Sequence, residues 1–249
     1  MSICNICGRE LLSEKMYCDN CGIPTQISSD KSKEKLQTSG KKKSKSEIKI
    51  LILFYSMYGH TYRLAERVSE GVRQAEGEPI LKQVTELIPK ESWNDEMKKT
   101  KSLMKSVAVA DPTKDLEGID GIIVGTPTRF GNMCAQMRNF WDQTGEDWMK
   151  GTLIGKPASV FISTGTQHGG QETTIISTML TLLHHGCILV GLPYSFKEQM
   201  TMEEITGGSP YGASTIAGGT GERLPSTNEL KMAKALGQHL TAIAKKLSS

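Results

Sequence analysis

A short run of hydroxyl, glycine and histidine residues directly follows an unbroken apolar run at residues 50–55. Its members are Ser56, Met57, Tyr58, Gly59, His60 and Thr61. Where a strand passes into a helix, the backbone N–H groups of the turn and the helix dipole together bind an anion, and no lysine is needed. The run therefore predicts a phosphate site, although a plain helix N-cap at Thr61 or Ser56 would use the same residues.

The run does not match the common nucleotide-binding motifs. It lacks the Gly-Lys-Ser/Thr sequence of a Walker A loop, and no GxGxxG sequence follows a predicted strand. Sites for nucleoside triphosphates and for Rossmann-type dinucleotides are therefore both disfavoured.

Two further loops follow apolar segments and carry the same kinds of residues. Residues 125–133 and 163–172 combine glycines, which let the backbone approach a flat ligand, with hydroxyl and amide side chains. In open α/β sheets the ligand binds beyond the carboxyl ends of the strands, so these loops should meet the first loop at one edge. Three such loops suit a phosphorylated planar ring.

Four of the six cysteines lie near the N-terminus as two CxxC pairs, Cys4, Cys7, Cys18 and Cys21. Four thiolates satisfy a tetrahedral Zn²⁺ ion, and Gly8 and Gly22 supply the permissive backbone that each turn requires. Two disulfides or a thioredoxin-like redox pair would use the same residues. The second CxxC argues against the redox pair, and an apparently cytosolic setting argues against disulfides. The sequence therefore predicts a structural zinc ribbon at residues 1–26.

A polar, lysine-rich segment at residues 27–47 follows the predicted ribbon. Seven of the 30 basic residues and one of the 27 acidic residues lie in residues 31–46, which leaves a net charge of −3 on the rest of the chain. So little of this segment can be buried that it predicts a solvated linker. The lysines could neutralise phosphates, but no aromatic residues alternate with them to stack on bases. Nucleic acid is therefore disfavoured as a partner.

From residue 48 onward, short apolar runs alternate with amphipathic segments. Leu64, Val68 and Val72 form one helical stripe after the first run, and Ser226 with Glu229 predicts a capping box before a closing helix. This alternation favours a doubly wound α/β domain over residues 48–249. The runs that predict buried strands are residues 50–55, 80–84, 121–125, 158–162 and 187–190, the last being the final strand of the sheet.

Length and composition limit the class of protein. The chain has 249 residues, of which 37% are apolar, enough for one large core and a small appendage. No apolar run reaches the ~18 residues of a membrane span, and cysteines stand where a signal peptide would need an apolar stretch. The sequence therefore predicts a cytoplasmic protein with no membrane span.

In its main part the sequence resembles the WrbA family, the flavodoxin-like NAD(P)H:quinone oxidoreductases that bind FMN. The matching segments are residues 55–60, 125–133, 163–166, 184–186 and 207–219. The resemblance covers residues 48–249 and implies a flavodoxin-like, doubly wound parallel sheet of five strands. It also implies FMN as cofactor, NAD(P)H as electron donor, and a homotetramer whose subunits help to wall one another's sites.

The resemblance assigns roles to individual residues. It implies that residues 56–61 hold the FMN phosphate, and it places His184, of the His184-His185 pair, near the flavin. Tyr58 would lie near the nicotinamide donor, and Trp148 would cover the substrate. Two loops would line the isoalloxazine, with Thr128, Arg129, Phe130, Gly131 and Asn132 in one, and Ser163, Thr164, Gly165, Thr166, Gln167, His168 and Gly169 in the other.

The predicted activity is two-electron reduction of a quinone by NAD(P)H through bound FMN. Hydride would pass from the nicotinamide to flavin N5 and then to the quinone in the same slot, a ping-pong exchange in which the cofactor carries the chemistry. No side chain is needed as an acid or base, so no catalytic residue is predicted. Two alternatives stay open: a flavodoxin-type carrier of single electrons, and an adaptor flavoprotein whose zinc ribbon docks a partner or nucleic acid.

Overall fold

The computed structural model describes residues 2–3, 10–11 and 47–248. The chain divides into two compact units, Met1–Ser44 and Lys45–Ser249. In the first unit, strand β1 (Ser2–Ile3) pairs antiparallel with strand β2 (Glu10–Leu11). The predicted zinc ligands and the linker up to residue 46 lie outside the described residues, so the zinc ribbon stays a prediction. The ligands concerned are Cys4, Cys7, Cys18 and Cys21.

The second unit is built on one eight-stranded sheet. Its order is β10-β8-β6-β3-β4-β5, with β9 also parallel to β8 and β7 antiparallel to β6. The strands β4, β3, β6, β8 and β10 thus follow the 2-1-3-4-5 order of flavodoxin-like folds. The predicted parallel sheet is confirmed: it has five longer strands, four of them at predicted positions, and three strands of two residues each. The strands are β3 (Ile48–Phe54), β4 (Gly77–Gln83), β5 (Ala108–Val109), β6 (Gly121–Arg129), β7 (Asn132–Met133), β8 (Pro157–Thr164), β9 (Ile188–Leu189) and β10 (Ala213–Ile216).

The prediction for the final strand is wrong. Of residues 187–190 only β9 is a strand, and it pairs with the first two residues of β8. The last four residues of β8 pair instead with β10, which is buried along its whole length. Two short segments therefore share the fifth position of the sheet, with residues 190–212 as an excursion between them. Strand β10 follows a glycine-rich stretch, where strand signals are weak, so its place is set by pairing with β8.

Helices cover both faces of the sheet, as expected for a doubly wound domain. Helices α1 and α6 share one buried apolar cluster with β3, and α3 and α5 share the other. Within the described part of the chain, no helix is long and apolar enough to cross a membrane. The helices are α1 (His60–Gln74), α2 (Asp95–Leu103), α3 (Ala135–Asp142), α4 (Gly145–Lys150), α5 (Gln171–His184) and α6 (Thr227–Leu247), with 3₁₀ turns at Lys90–Ser92 and Lys197–Met200.

Helix α1, which begins at the predicted phosphate loop, is fixed by close contact with α6. A Cβ atom on Gly71 would lie 2.0 Å from the Lys234 carbonyl oxygen, and one on Gly237 would lie 2.2 Å from the Val68 carbonyl oxygen. The glycines therefore allow the two helix backbones to touch. The capping box that begins α6 is also confirmed.

Candidate functional site

The first predicted loop joins β3 to α1 and leaves the N-terminus of α1 uncapped. Gly59 is the N-cap residue in the left-handed conformation (φ 88°), and no side chain caps the helix. The Gly59 N–H donates to the buried Ser56 hydroxyl at 3.1 Å. The first N–H groups of a helix, here including that of buried Thr61, have no carbonyl partner within it, and no acidic side chain lies in this first turn. The loop therefore offers donors and the positive end of a helix to an anion.

His60 closes this loop as a neutral group. Its imidazole is buried, and burial lowers its pKa. The Nε2 atom lies 3.0 Å from the Gly221 carbonyl oxygen, to which it donates in the tautomer protonated at Nε2. His60 therefore ties residues 218–221 to the start of α1 and supplies no positive charge.

The second predicted loop is a two-residue hairpin turn between β6 and β7. Its central residues, Phe130 and Gly131, both have positive φ, 52° and 79°. The Thr128 hydroxyl supports the turn, since it lies 2.7 Å from the Thr174 hydroxyl and 3.3 Å from the Gly131 nitrogen. The Phe130 side chain is fully exposed (103%). The left-handed conformation is unfavourable for phenylalanine, yet it holds this large apolar ring in solvent. We infer that the ring belongs to a surface that contacts another molecule.

The third predicted loop leads from β8 to α5. It is anchored at both ends, because the Thr164 hydroxyl donates to the Thr166 carbonyl at 2.8 Å and the Gln171 side chain donates to the Gln167 carbonyl at 2.7 Å. Residues 165–169, which include His168, are exposed between these anchors. Gly170 then begins α5 in the left-handed conformation (φ 93°) without a side-chain cap. A second uncapped helix N-terminus therefore lies at this edge.

The three loops meet at one edge of the sheet. Strand β3 runs parallel to β6, and β6 runs parallel to β8, so their carboxyl ends are neighbours. An Arg129 Nη atom lies 3.9 Å from the Met57 Sδ atom, which joins the first loop to the second. A Cβ on Gly170 would lie 3.3 Å from the Gly131 Cα, which joins the second loop to the third. The structure therefore brings together the residues predicted for the phosphate and for the ring, with Asn132 at the far side of the hairpin.

His184 and Trp148 lie at the opposite edge of the sheet. The Trp148 indole N–H donates to the His184 carbonyl at 2.8 Å. Gly186 accepts from Gly155, just before β8 begins. Helix α5 has 14 residues and returns from the third loop, so it separates His184 from that loop by about 20 Å. Neither residue reaches the three loops of its own chain.

The neighbouring His185 packs inside the domain and has a structural role. It is buried, its Nε2 atom lies 3.1 Å from the Thr144 hydroxyl, and its ring packs 5.1 Å from the ring of Trp141. Burial lowers the pKa of His185. Of the two histidines, only His184 is exposed and available to another molecule.

A buried polar network behind the first loop was missed from the sequence. The Tyr55 hydroxyl donates to the Glu86 carboxylate at 2.9 Å, Gln136 donates to both groups, and Lys101 pairs with Glu86 at 2.8 Å. Burial and then Glu86 raise the pKa of Tyr55. Burial opposes ionisation of Glu86, but hydrogen bonds led by that of Lys101 lower its pKa. The one available signal was a tyrosine at the end of an apolar run, since residues 85–118 show no clear period.

This geometry defines a flavodoxin-like domain with an uncapped helix N-terminus at the carboxyl edge of its sheet. A solved structure of a flavodoxin, WrbA-like protein from Agrobacterium tumefaciens has this fold, with a TM-score of 0.56 and 20% identity over 80% of this chain and 99% of that one. Residues 48–199 match the NADPH-dependent FMN reductase family.

The curated relatives extend the match beyond the fold. The NAD(P)H dehydrogenase (quinone) of Aromatoleum aromaticum is 57% identical over 201 residues, which cover 80% of this chain and 97% of the relative. The protein of the same name from Methanosarcina acetivorans is 53% identical over 206 residues, with 81% and 99% covered. The chain therefore belongs to the WrbA-like NAD(P)H dehydrogenase (quinone) family, which confirms the resemblance seen in the sequence.

Proposed function

We propose that the chain is an FMN-dependent NAD(P)H:quinone oxidoreductase. The observation that carries this function is the uncapped N-terminus of α1 behind a left-handed Gly59, at the sheet edge where two exposed loops meet it. That arrangement fits a phosphorylated planar cofactor, and family membership agrees with it. When bound, FMN supplies the acceptor and donor of hydride.

The residues at this edge would bind and orient the FMN and its substrates. The backbone of residues 56–61 and the hydroxyls of Ser56 and Thr61 would hold the FMN phosphate. The loops of residues 128–132 and 163–169 would line the ring, and Tyr58, at the first loop, would meet the nicotinamide donor. We assign no acid or base here, since burial raises the pKa of both Tyr55 and Cys134, and both stay protonated near neutral pH.

We also propose that a second copy of the chain completes the site. His184 and Trp148 lie too far from the loops of their own chain, so they can act only at the loops of a neighbouring subunit. Around them the surface is apolar: Ile176, Leu180 and Leu183 are all exposed at helical spacing on α5. Such a face favours burial against another subunit, in agreement with the predicted homotetramer.

Light scattering after gel filtration tests this assembly. Leu180→Glu should reduce the particle mass and raise the KM for the quinone while FMN stays bound. Leu247→Glu, at an equally exposed leucine on α6, should change neither. A wild-type mass of one chain would refute the proposal.

For the N-terminal unit we propose a zinc ribbon at residues 1–26 and a linker at 27–47, ahead of the FMN domain at 48–249, in a cytoplasmic protein. The support is the pattern of two CxxC pairs. Among the described residues, no group of three histidine, cysteine or acidic side chains could hold a metal. Zinc should therefore be present at one ion per chain and be lost in Cys4→Ser. Zinc near zero in reduced, chelator-free protein would refute the ribbon.

The function is tested by the bound cofactor and by kinetics. Purified protein should be yellow and release FMN, identified by mass. Double-reciprocal plots with NAD(P)H and a quinone should be parallel. Colourless protein that does not take up FMN would refute the function, and a stable semiquinone on photoreduction would favour a single-electron carrier.

A further inference from the structure

A cavity of about 420 Å³ opens between the first turns of α1 and helix α2. It is lined by Tyr58 and Gly59 from the first loop, by Tyr62 and Arg63 from α1, and by Lys99 from α2, among others. Its volume is in the range of small-molecule sites. Three of its lining residues, Tyr58, Gly59 and His60, belong to the predicted phosphate loop, and none belongs to either ring-lining loop.

Two cationic side chains at this cavity have no ion pair among the described residues. Arg63 and Lys99 are exposed and unpaired, although they are far apart in the sequence. Their neighbours on the same helices are engaged: Arg67 pairs with Glu70 at 2.8 Å, and Lys98 pairs with Asp95 at 3.4 Å. Arg63 and Lys99 are therefore available to a ligand in the cavity.

The other lining groups match the rest of a nucleotide. Glu66 and Glu96 place carboxylates at the rim, where they can accept hydrogen bonds from hydroxyls. Tyr62 stacks one ring face on Phe54 at 5.7 Å and is partly exposed in the cavity lining, so its other face is available to a base. The cations can bind a phosphate, the carboxylates can accept hydrogen bonds from sugar hydroxyls, and the aromatic ring can stack on a flat base. A nucleoside phosphate has all three of these groups.

We propose that this cavity binds the adenosine-phosphate end of NAD(P)H. Tyr58 and Gly59 belong both to the cavity and to the phosphate loop, so the two sites adjoin. A dinucleotide whose nicotinamide meets Tyr58 would extend its other end into the cavity. The inference rests on the proposed function, because it takes NAD(P)H as the donor. Arg63 and Lys99 would hold the pyrophosphate, and neither takes part in the chemical step.

Calorimetric titration of ADP-ribose into the FMN-loaded protein tests the cavity without any turnover. ADP-ribose lacks the nicotinamide and so reports this end alone. Arg63→Ala and Lys99→Ala should each raise its Kd about fivefold, the change expected for one partly exposed ion pair. Arg67→Ala and Lys98→Ala, which remove the same charges from the same helices, should stay within about twofold. The Kd for FMN should be unchanged in all four variants.

Three results would overturn the inference. The first is no binding of ADP-ribose, the second is an equal rise of its Kd in the two controls, and the third is a loss of FMN affinity in Arg63→Ala and Lys99→Ala as large as the loss for ADP-ribose. In each case yellow protein that still reduces quinones would leave the proposed function standing. Failure to bind FMN would instead remove that function.

Discussion

Replacing Phe130 with asparagine should make the apoprotein more stable and lower its affinity for FMN. Phe130 occupies the first central position of a two-residue hairpin turn, with φ of 52°. A non-glycine residue there costs about 1–2 kcal/mol, whereas asparagine before glycine is favoured in such turns. The ring is fully exposed, so its removal loses no burial within the chain. We therefore expect the free energy of unfolding of the apoprotein to rise by about 1 kcal/mol.

The same substitution should lower the affinity for FMN. A phenylalanine side chain can bury roughly 200 Å². If FMN covers a third of it, about 25 cal/mol per Å² gives about 1.5 kcal/mol, or roughly a tenfold rise in Kd. The strain at Phe130 would then be retained because the ring serves the cofactor.

Equilibrium urea unfolding of the apoprotein and a flavin fluorescence titration measure the two effects. Phe130→Ala is the matched control: it also removes the ring but lacks the side-chain amide that lets asparagine adopt the left-handed conformation at lower cost. It should weaken FMN as Phe130→Asn does, without the gain in stability. If Phe130→Asn unfolds at lower urea than wild type, the turn is not strained and the reasoning fails.

Three further predictions concern the support of the site. Gly71→Ala should destabilise the fold by about 1–3 kcal/mol in urea, despite the higher helix propensity of alanine, because its Cβ would lie 2.0 Å from the Lys234 carbonyl oxygen; a gain in stability would contradict the close contact. Glu229→Gln should cost about 3 kcal/mol and lower the Tm, since the fully buried carboxylate pairs with Arg223 at 2.9 Å; an unchanged Tm would count against that pair. Burial lowers the pKa of His60 in the folded state, so the unfolded state binds more protons below about pH 6.5 and stability should fall from pH 7.5 to 5.5. In urea His60→Gln should reduce that fall, and an equal fall in the variant would show that the proton binds elsewhere.

The sequence predicts those parts of the fold whose signal is local. Strands β3, β6 and β8 contain continuous apolar runs. Helices α1 and α6 show helical spacing of apolar residues, and α6 also begins with a capping box. Each of these elements can therefore be recognised from its own residues alone. Strand β10 has only four residues after a glycine-rich stretch, and its place depends on pairing with distant β8. Non-local pairing of this kind leaves no periodic pattern in the sequence.

In the candidate site, too, some features could be predicted from the sequence and others could not. The three loops could be placed at one edge, because the strands before them are parallel. The position of His184 could have been worked out too, since a helix that starts at the carboxyl edge of a sheet must end near the other edge. The role that the resemblance implies for His184 would therefore be at the loops of a second subunit, as proposed above. The cavity cations Arg63 and Lys99 gave no signal, because only the packing of α2 beside α1 brings them together.

Three successive residues of α2 link the polar network, the first loop and the cavity. Lys101 pairs with Glu86 and thereby with Tyr55, which directly precedes the phosphate loop. Thr100 packs against the loop, 3.6 Å from where a Cβ of Gly59 would lie, and both Thr100 and Lys99 line the cavity. Side chains about 100° apart around a helix can do this only while α2 keeps one position. Since one helix supplies all three contacts, a displacement of α2 would disturb the polar network, the loop and the cavity together.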